Sequence, residues 1–390
     1  MGSCLSIYNT WGCPLKNQSI DFSQIQRVLV AKLRHHGDVL LSAPVFSVLK
    51  KYYPHLEVDA YIYSETLPML EGHPAISKFV LYDKKWKKLA KHRRFLEEWK
   101  LLKEIRRGSY DLVINLTEGD RGAVAAKVSR APYAIGFDPQ GSGMMQKEKC
   151  YTHLIKHTPK PRHTVEKQLD ALRCLGLHPK EEERDLFFHI PEEARLRVET
   201  LLHENGVDEG QFIQVHPVSR WMFKTLPVKT IVEVLHFLHD QGKQIVLTAS
   251  PDPLERKMNK EIVSLAPFAI DLSGQISLKE LGAMIKMSQM LLSVDSVPMH
   301  LASALKKPTV AIFGPTCEQN WGPWRNPGAR VVTQKLSCRP CYQPGCGGSG
   351  KSDCLTTLSS QSIIQAVEEV LEFKVLSKVG CLSSLVSEEL

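Results

Sequence analysis

The sequence predicts an α/β chain of two doubly wound domains. Short apolar runs alternate with helix-patterned stretches, the alternation restarts in the second half, and 390 residues at 43% hydrophobic and 24% charged suffice for two globular cores. Strands separated by helices imply a parallel sheet covered on both faces.

Residues 1–26 are polar and aperiodic and read as a flexible leader. The run VLVAKL, 28–33, is the first buried strand; Arg34, His35, His36, Gly37 and Asp38 follow, before a helix pattern over 39–53. Gly37 permits the sharp turn, and Asp38 falls in the helix's first turn. Further strands at 58–63, 79–82, 112–116 and 134–137 complete a first domain spanning 27–178. Within it, KKWKKLAKHRRFLEEWKLLKEIRR, 84–107, has helical character. Residues 141–161 lack periodicity and read as a mobile loop; a helix then opens at His163 and runs to residue 175, with the interdomain linker within 176–183.

The second domain, 184–358, opens with a helix over 191–205, a strand at 212–215 and the loop HPVSRWMFKTLP, 216–227. A strand at 245–248 ends in Ala249, Ser250, Pro251 and Asp252, and a loop at 271–274 precedes a helix over 277–287. In LLSVDSVPMHLASALKKPTVAIFGPT, 291–316, an apolar run ends in Asp295, a turn through Ser296, Val297 and Pro298 follows, and a helix opens near His300 before the next apolar run. A terminal amphipathic helix lies within 359–374, and 375–390 form a tail.

A strand–helix–strand unit of this kind offers free N–H groups and a positive dipole end just past a strand's carboxyl edge, where open parallel sheets bind phosphorylated ligands. A diphosphate fits there, with Ser296 and Val297 facing the phosphates, Asp295 accepting from sugar or ribose hydroxyls, and His300 donating to a phosphate oxygen. The alternative is that Asp295 or Ser296 caps the helix and His300 packs against it. In the first half, Asp38 could take a proton from a hydroxyl; the alternative is again a helix cap. Arg34, His35 and His36, with His163, are the candidate acceptor contacts.

The formal charge of +8 is unevenly spread: residues 83–107 hold eleven Lys/Arg against four Asp/Glu. A basic stretch with aromatics can rest on a membrane surface, attracting anionic lipid or a phosphorylated acceptor; the other reading is a solvated helix face whose apolar residues join the core. No nucleic-acid module accompanies it. No apolar run reaches the ~20 residues of a membrane span, and no basic region followed by an apolar core predicts export. Residues 1–6, MGSCLS, match a myristoylation pattern. Ten cysteines, six scattered singly, predict reduced cytoplasmic thiols. Cys338, Cys341, Cys346 and Cys354 have a spacing that admits a structural zinc, although the reading without a metal is preferred.

VDSVPMH, 294–300, resembles the D-[ST]-x-x-x-H nucleotide-sugar signature of the lipopolysaccharide heptosyltransferases, glycosyltransferase family 9, and its wording is closest to the branch that adds the third inner-core heptose. KLRHHGDVLLSAP, 32–44, resembles that family's N-terminal motif, and HPVSRWMFKTLP its loop of hydroxyl residues and a phosphate-contacting Lys. The resemblance covers residues 28–373. It implies a GT-B fold of two Rossmann-like domains facing a central cleft, with the terminal helix crossing back to the first. Asp38 would be the catalytic base and Lys224 would offset charge on the leaving diphosphate, with Ser219, Asp252, Asp295, Ser296, Val297 and His300 at the donor. No metal or other cofactor is required. The implied donor is ADP-L-glycero-D-manno-heptose, the acceptor a phosphorylated lipid-linked core oligosaccharide, and the place of action the cytoplasmic face of the inner membrane. Rival readings are a nucleotide-sugar epimerase of the same fold, a non-catalytic binder of anionic glycolipid, and a zinc or redox module on the clustered cysteines.

Overall fold

The structure is a computed structural model that describes residues 20–158 and 160–378, with 374–378 traced by backbone alone. The MGSCLS pattern, most of the expected leader and the end of the tail lie outside the described residues. Two compact units divide the chain, Met1–Phe187 and Phe188–Leu390.

In the first unit the elements run β1 (Arg27–Ala31), α1 (His36–Leu40), α2 (Ala43–Tyr52), β2 (Glu57–Tyr63), β3 (Lys78–Tyr82), α3 (Lys91–Arg107), β4 (Leu112–Asn115), α4 (Asp120–Ser129), β5 (Tyr133–Phe137), β6 (His153–Ile155) and α5 (Thr164–Arg173). The six strands pair in parallel in the order β3-β2-β1-β4-β5-β6. Leu29, Ala31, Tyr61, Val80 and Val113 pack with Leu101 and Ile105 of α3 and with Ala125 and Ala126 of α4. At Gly122 an added Cβ would collide with the Asn115 side chain, so a bare backbone is what lets α4 lie this close to the end of β4.

The second unit runs α6 (Glu192–Glu204), β7 (Phe212–His216), α7 (Val228–Asp240), β8 (Gln244–Leu247), α8 (Pro253–Leu265), β9 (Ile270–Asp271), α9 (Leu278–Met287), β10 (Met290–Val294), α10 (Val297–Ala304), β11 (Thr309–Phe313), α11 (Glu318–Trp321), β12 (Ala329–Thr333), α12 (Asp353–Thr356) and α13 (Ser360–Lys378). Its sheet, again six parallel strands, has the order β12-β11-β10-β7-β8-β9. Side chains alternate across it. Ile213, Val215, Leu292 and Ile312 face α7 and α13, whereas Phe212 and Val246 face α6 and α9. The terminal helix α13 packs on α7 and on β10, β11 and β12 within this unit.

Some elements differ from expectation. The helix expected over 39–53 is two helices, because Pro44 has no N–H to continue the first and instead enters the opening turn of the second. The stretch read as a mobile loop over 141–161 contains a 3-10 turn at Lys147–Cys150 and the edge strand β6. Lys147 is buried there, its ammonium donating to the Glu118 carbonyl and lying 3.3 Å from Asp120. β9 lies partly in what read as loop, and β12 had no expected counterpart. Among the described residues no helix is long and apolar enough to cross a membrane.

Candidate active site

The chain reverses direction across each sheet beside its first strand, between β1 and β4 in one unit and between β7 and β10 in the other. Ligands of open parallel sheets bind outside the carboxyl ends of the strands at such a point. The residues following those four strands therefore border the expected ligand position of each unit.

In the second unit, β7 ends at His216 and the chain continues to a 3-10 turn at Met222–Lys224. β10 ends at Val294, so that Asp295 stands directly on the neighbouring strand. The Lys224 ammonium donates to Asp295 Oδ2 at 2.7 Å, and the Thr316 hydroxyl donates to the same oxygen at 2.6 Å. Asp295 is 6% exposed, and a buried charge of this kind needs such partners to persist. Thr316, three residues past β11, was not singled out from the sequence.

Ser296 occupies the N-cap position of α10 without a side-chain capping bond; its hydroxyl instead donates to the Val294 carbonyl at 3.2 Å. This leaves capping to something other than the serine side chain, an arrangement suited to an anion. Val297 opens the helix and is half-buried; Pro298 next to it contributes no N–H. His300, one turn on, is buried. Ser219 is buried too, its Oγ accepting from the Trp221 N–H at 3.3 Å.

Asp252 is occupied differently. It is exposed, and its carboxylate caps α8 by accepting from the Leu254 N–H at 2.8 Å. Nearby Glu255 is buried and accepts from the Ser250 N–H at 2.9 Å, which puts it against the carboxyl end of β8. His216 is buried beside Thr248, its Nδ1 3.0 Å from the hydroxyl, and burial pushes its pKa down to about 4.

In the first unit, Asp38 lies half-buried in the first turn of α1, as its place after β1 predicted. Gln168 of α5 approaches its main-chain carbonyl at 3.5 Å. Lys32, directly after β1, is buried and donates to the Leu116 carbonyl at 2.9 Å. Burial holds this ammonium below its ordinary pKa, and the Asp38 carboxylate acts in the opposite sense. The Thr117 hydroxyl, after β4, accepts from the Leu33 N–H at 2.8 Å and ties the two strand ends together. Neither Lys32 nor Thr117 carried a role in the sequence reading.

The candidate acceptor residues are spread around this turn. Arg34 and His35 are exposed, with Arg34 3.9 Å from Glu118. His36 Nε2 lies 2.8 Å from the Glu65 carbonyl. His163 caps α5, its Nδ1 accepting from the Val165 N–H at 3.2 Å.

Among the described residues, no group of three or more His, Cys, Asp or Glu is gathered to hold a metal ion. Cys338 and Cys346 are exposed thiols and Cys341 is half-buried, while burial pushes the Cys354 thiol up to about 11.

Residues 98–349 match the profile of glycosyltransferase family 9 (heptosyltransferase). Lipopolysaccharide heptosyltransferase 3 of Escherichia coli is 32% identical over 296 residues, 75% of this chain and 85% of its own. Among solved structures, a family 9 glycosyl transferase from Veillonella parvula superposes with a TM-score of 0.75 at 24% identity, covering 91% of this chain and 99% of its own. The E. coli heptosyltransferase WaaC, solved with ADP, gives 0.70 at 19% identity, covering 88% of this chain and all of its own. With the profile and the E. coli sequence each matching well over half its length, the chain belongs to glycosyltransferase family 9, the heptosyltransferases, and its two parallel-sheet units carry the GT-B fold.

Proposed function

We propose that this enzyme moves a heptose from ADP-L-glycero-D-manno-heptose to an inner-core heptose of lipopolysaccharide in one inverting displacement, working peripherally at the cytoplasmic face of the inner membrane. The observation that carries the reading is the Lys224–Asp295 pair at the strand reversal of the second unit, beside the open start of α10. Support also comes from the E. coli relative, a lipopolysaccharide heptosyltransferase, and from the ADP held by WaaC.

The acceptor oxygen attacks the anomeric carbon as the bond from that carbon to the diphosphate breaks. Asp38 takes the proton from the attacking hydroxyl, a task for which a carboxylate contributes about 10²–10⁴-fold. Lys224 and the first amides of α10 meet the negative charge that grows on ADP. Ser219 and His300 donate to phosphate oxygens. Asp295 sets the position of the ammonium and is in turn set by Thr316. An ammonium at this place neutralises the leaving group without a metal ion.

The test is to incubate purified protein with ADP-heptose and truncated core acceptors and to weigh the products. The reading requires an acceptor heavier by one heptosyl residue, with ADP released only when acceptor is present. Conversion of the donor with no acceptor would establish an epimerase instead.

A further inference from the structure

The basic segment of the first unit has two apolar faces, and only one is used by the fold. Leu101 and Ile105 of α3, four residues apart, are 5% and 0% exposed and pack against the sheet. Phe95, Leu96 and Trp99 point the other way at 67%, 49% and 49% exposed, and Leu89 just before the helix adds 39%. By helix geometry these three side chains share one outward stripe, with Lys103 continuing it a turn further on. Lys103 lies over the Trp99 ring at 4.6 Å.

Around that stripe the exposed charge is predominantly positive. Nine of the eleven cations between Asp83 and Arg107 are exposed, against one of the four acids, Glu104. Beside Trp99, at the amino edge of the sheet and hence at the opposite end from Asp38, a recess of about 470 Å³ is lined by Arg27, Lys78, Lys100, Lys103 and Arg107 against one acid, Glu104, which pairs with Lys78 at 2.6 Å. A protein partner would bury such a face in an interface core, from which lysine is depleted. An anionic bilayer suits it better: the rings settle among the headgroups, and the lysine stems extend so that their ammoniums meet phosphates.

We propose that α3 docks the first unit on an anionic lipid surface, with Phe95, Leu96 and Trp99 entering the interface and the surrounding lysines and arginines, including those of the recess, binding lipid phosphate. The helix lies along the surface rather than across it, since α3 has 17 residues and a polar rim. This docking goes beyond the transfer reaction and does not depend on the donor chemistry.

The test is co-sedimentation of the full chain with vesicles of phosphatidylcholine, alone or mixed with phosphatidylglycerol. Binding is expected only to the mixed vesicles and falls as salt is raised. Joint replacement of Phe95, Leu96 and Trp99 by serine lowers the partition coefficient at least ~10-fold. Replacing Lys100, Lys103 and Arg107 by glutamine lowers it roughly 5-fold per charge. Transfer to a soluble, lipid-free acceptor stays at the wild-type level in the serine variant, separating a failure of docking from a failure of catalysis. A measurement that does not rely on the serine variant uses vesicles with brominated acyl chains: they quench wild-type fluorescence, and the quenching is lost in Trp99→Phe. Absence of vesicle binding, equal binding of wild type and serine variant, or self-association that the serine variant abolishes would each overturn the proposal.

Discussion

The two units share one strand order and differ in what they place where it reverses. In the second, a lysine, an aspartate and a threonine lock together: Lys224 and Thr316 both donate to Asp295 Oδ2. In the first, Asp38 stands half-buried on a five-residue helix, and the nearby buried ammonium of Lys32 is spent on a backbone carbonyl. A site that must hold a charged leaving group benefits from a cation fixed in advance, because no reorganisation is then needed as charge develops. A group that must accept a proton cannot be locked in a salt bridge. On the proposed reading, holding falls to the second unit and proton transfer to the first.

Asp38→Asn tests the contrast with the largest expected effect, a fall in transfer rate of about 10³-fold with ADP-heptose affinity nearly unchanged. Rate assays beside calorimetric titration of the donor check it, and turnover near wild type would refute the assignment. Lys224→Met is expected to cost about 10²-fold in rate and to lower stability, since Asp295 then keeps its burial without its cation. In the double variant with Asp295→Asn, thermal unfolding should recover while the rate does not. Recovery of both would make the pair structural only.

Acid tests the units separately. Burial holds His73 in the first and His216 in the second at about 4, against an ordinary 6.5. Each is held neutral in the fold; the Nδ1 of His73 accepts the Ala75 N–H at 3.1 Å. The stabilisation is thus complete above pH 6.5 and is lost as pH falls toward 4, by about 2–3 kcal/mol for each histidine. Urea titrations at the two ends of that window measure it, and His216→Asn should flatten the share belonging to the second unit. The smallest effect is expected from Lys32→Met, about 10-fold in rate with donor KM unchanged; a rise in donor KM would place Lys32 with the holding group instead.

The central strands were legible because a strand buried on both faces reads as an unbroken apolar run, as in VLVAKL and LLSV. The edges were not. β6 has three residues and β9 two, while β12 exposes Val331, so none leaves a run long enough to separate from loop. Within the candidate site, the positions of Asp38, Lys224 and Asp295 after strands were readable from the apolar runs that precede them. Thr316, Thr117 and Lys32 were not, since a hydroxyl or amine near a strand end acquires its role only from a partner distant in sequence. Asp252 carries a second signal beside its place after β8. An Asp followed directly by Pro is the signature of a helix N-cap and first residue, which is how the structure employs it.

Because Lys224 is gripped at its far end by Asp295, just past β10, which Thr316 beyond β11 holds in turn, the backbone that carries it need not be the part that aims it. The exposed side chains of Arg220 and Trp221 can therefore change, meeting other sugars, while the ammonium keeps its address. Evolution can rewrite the approach to such a site without retuning its charge.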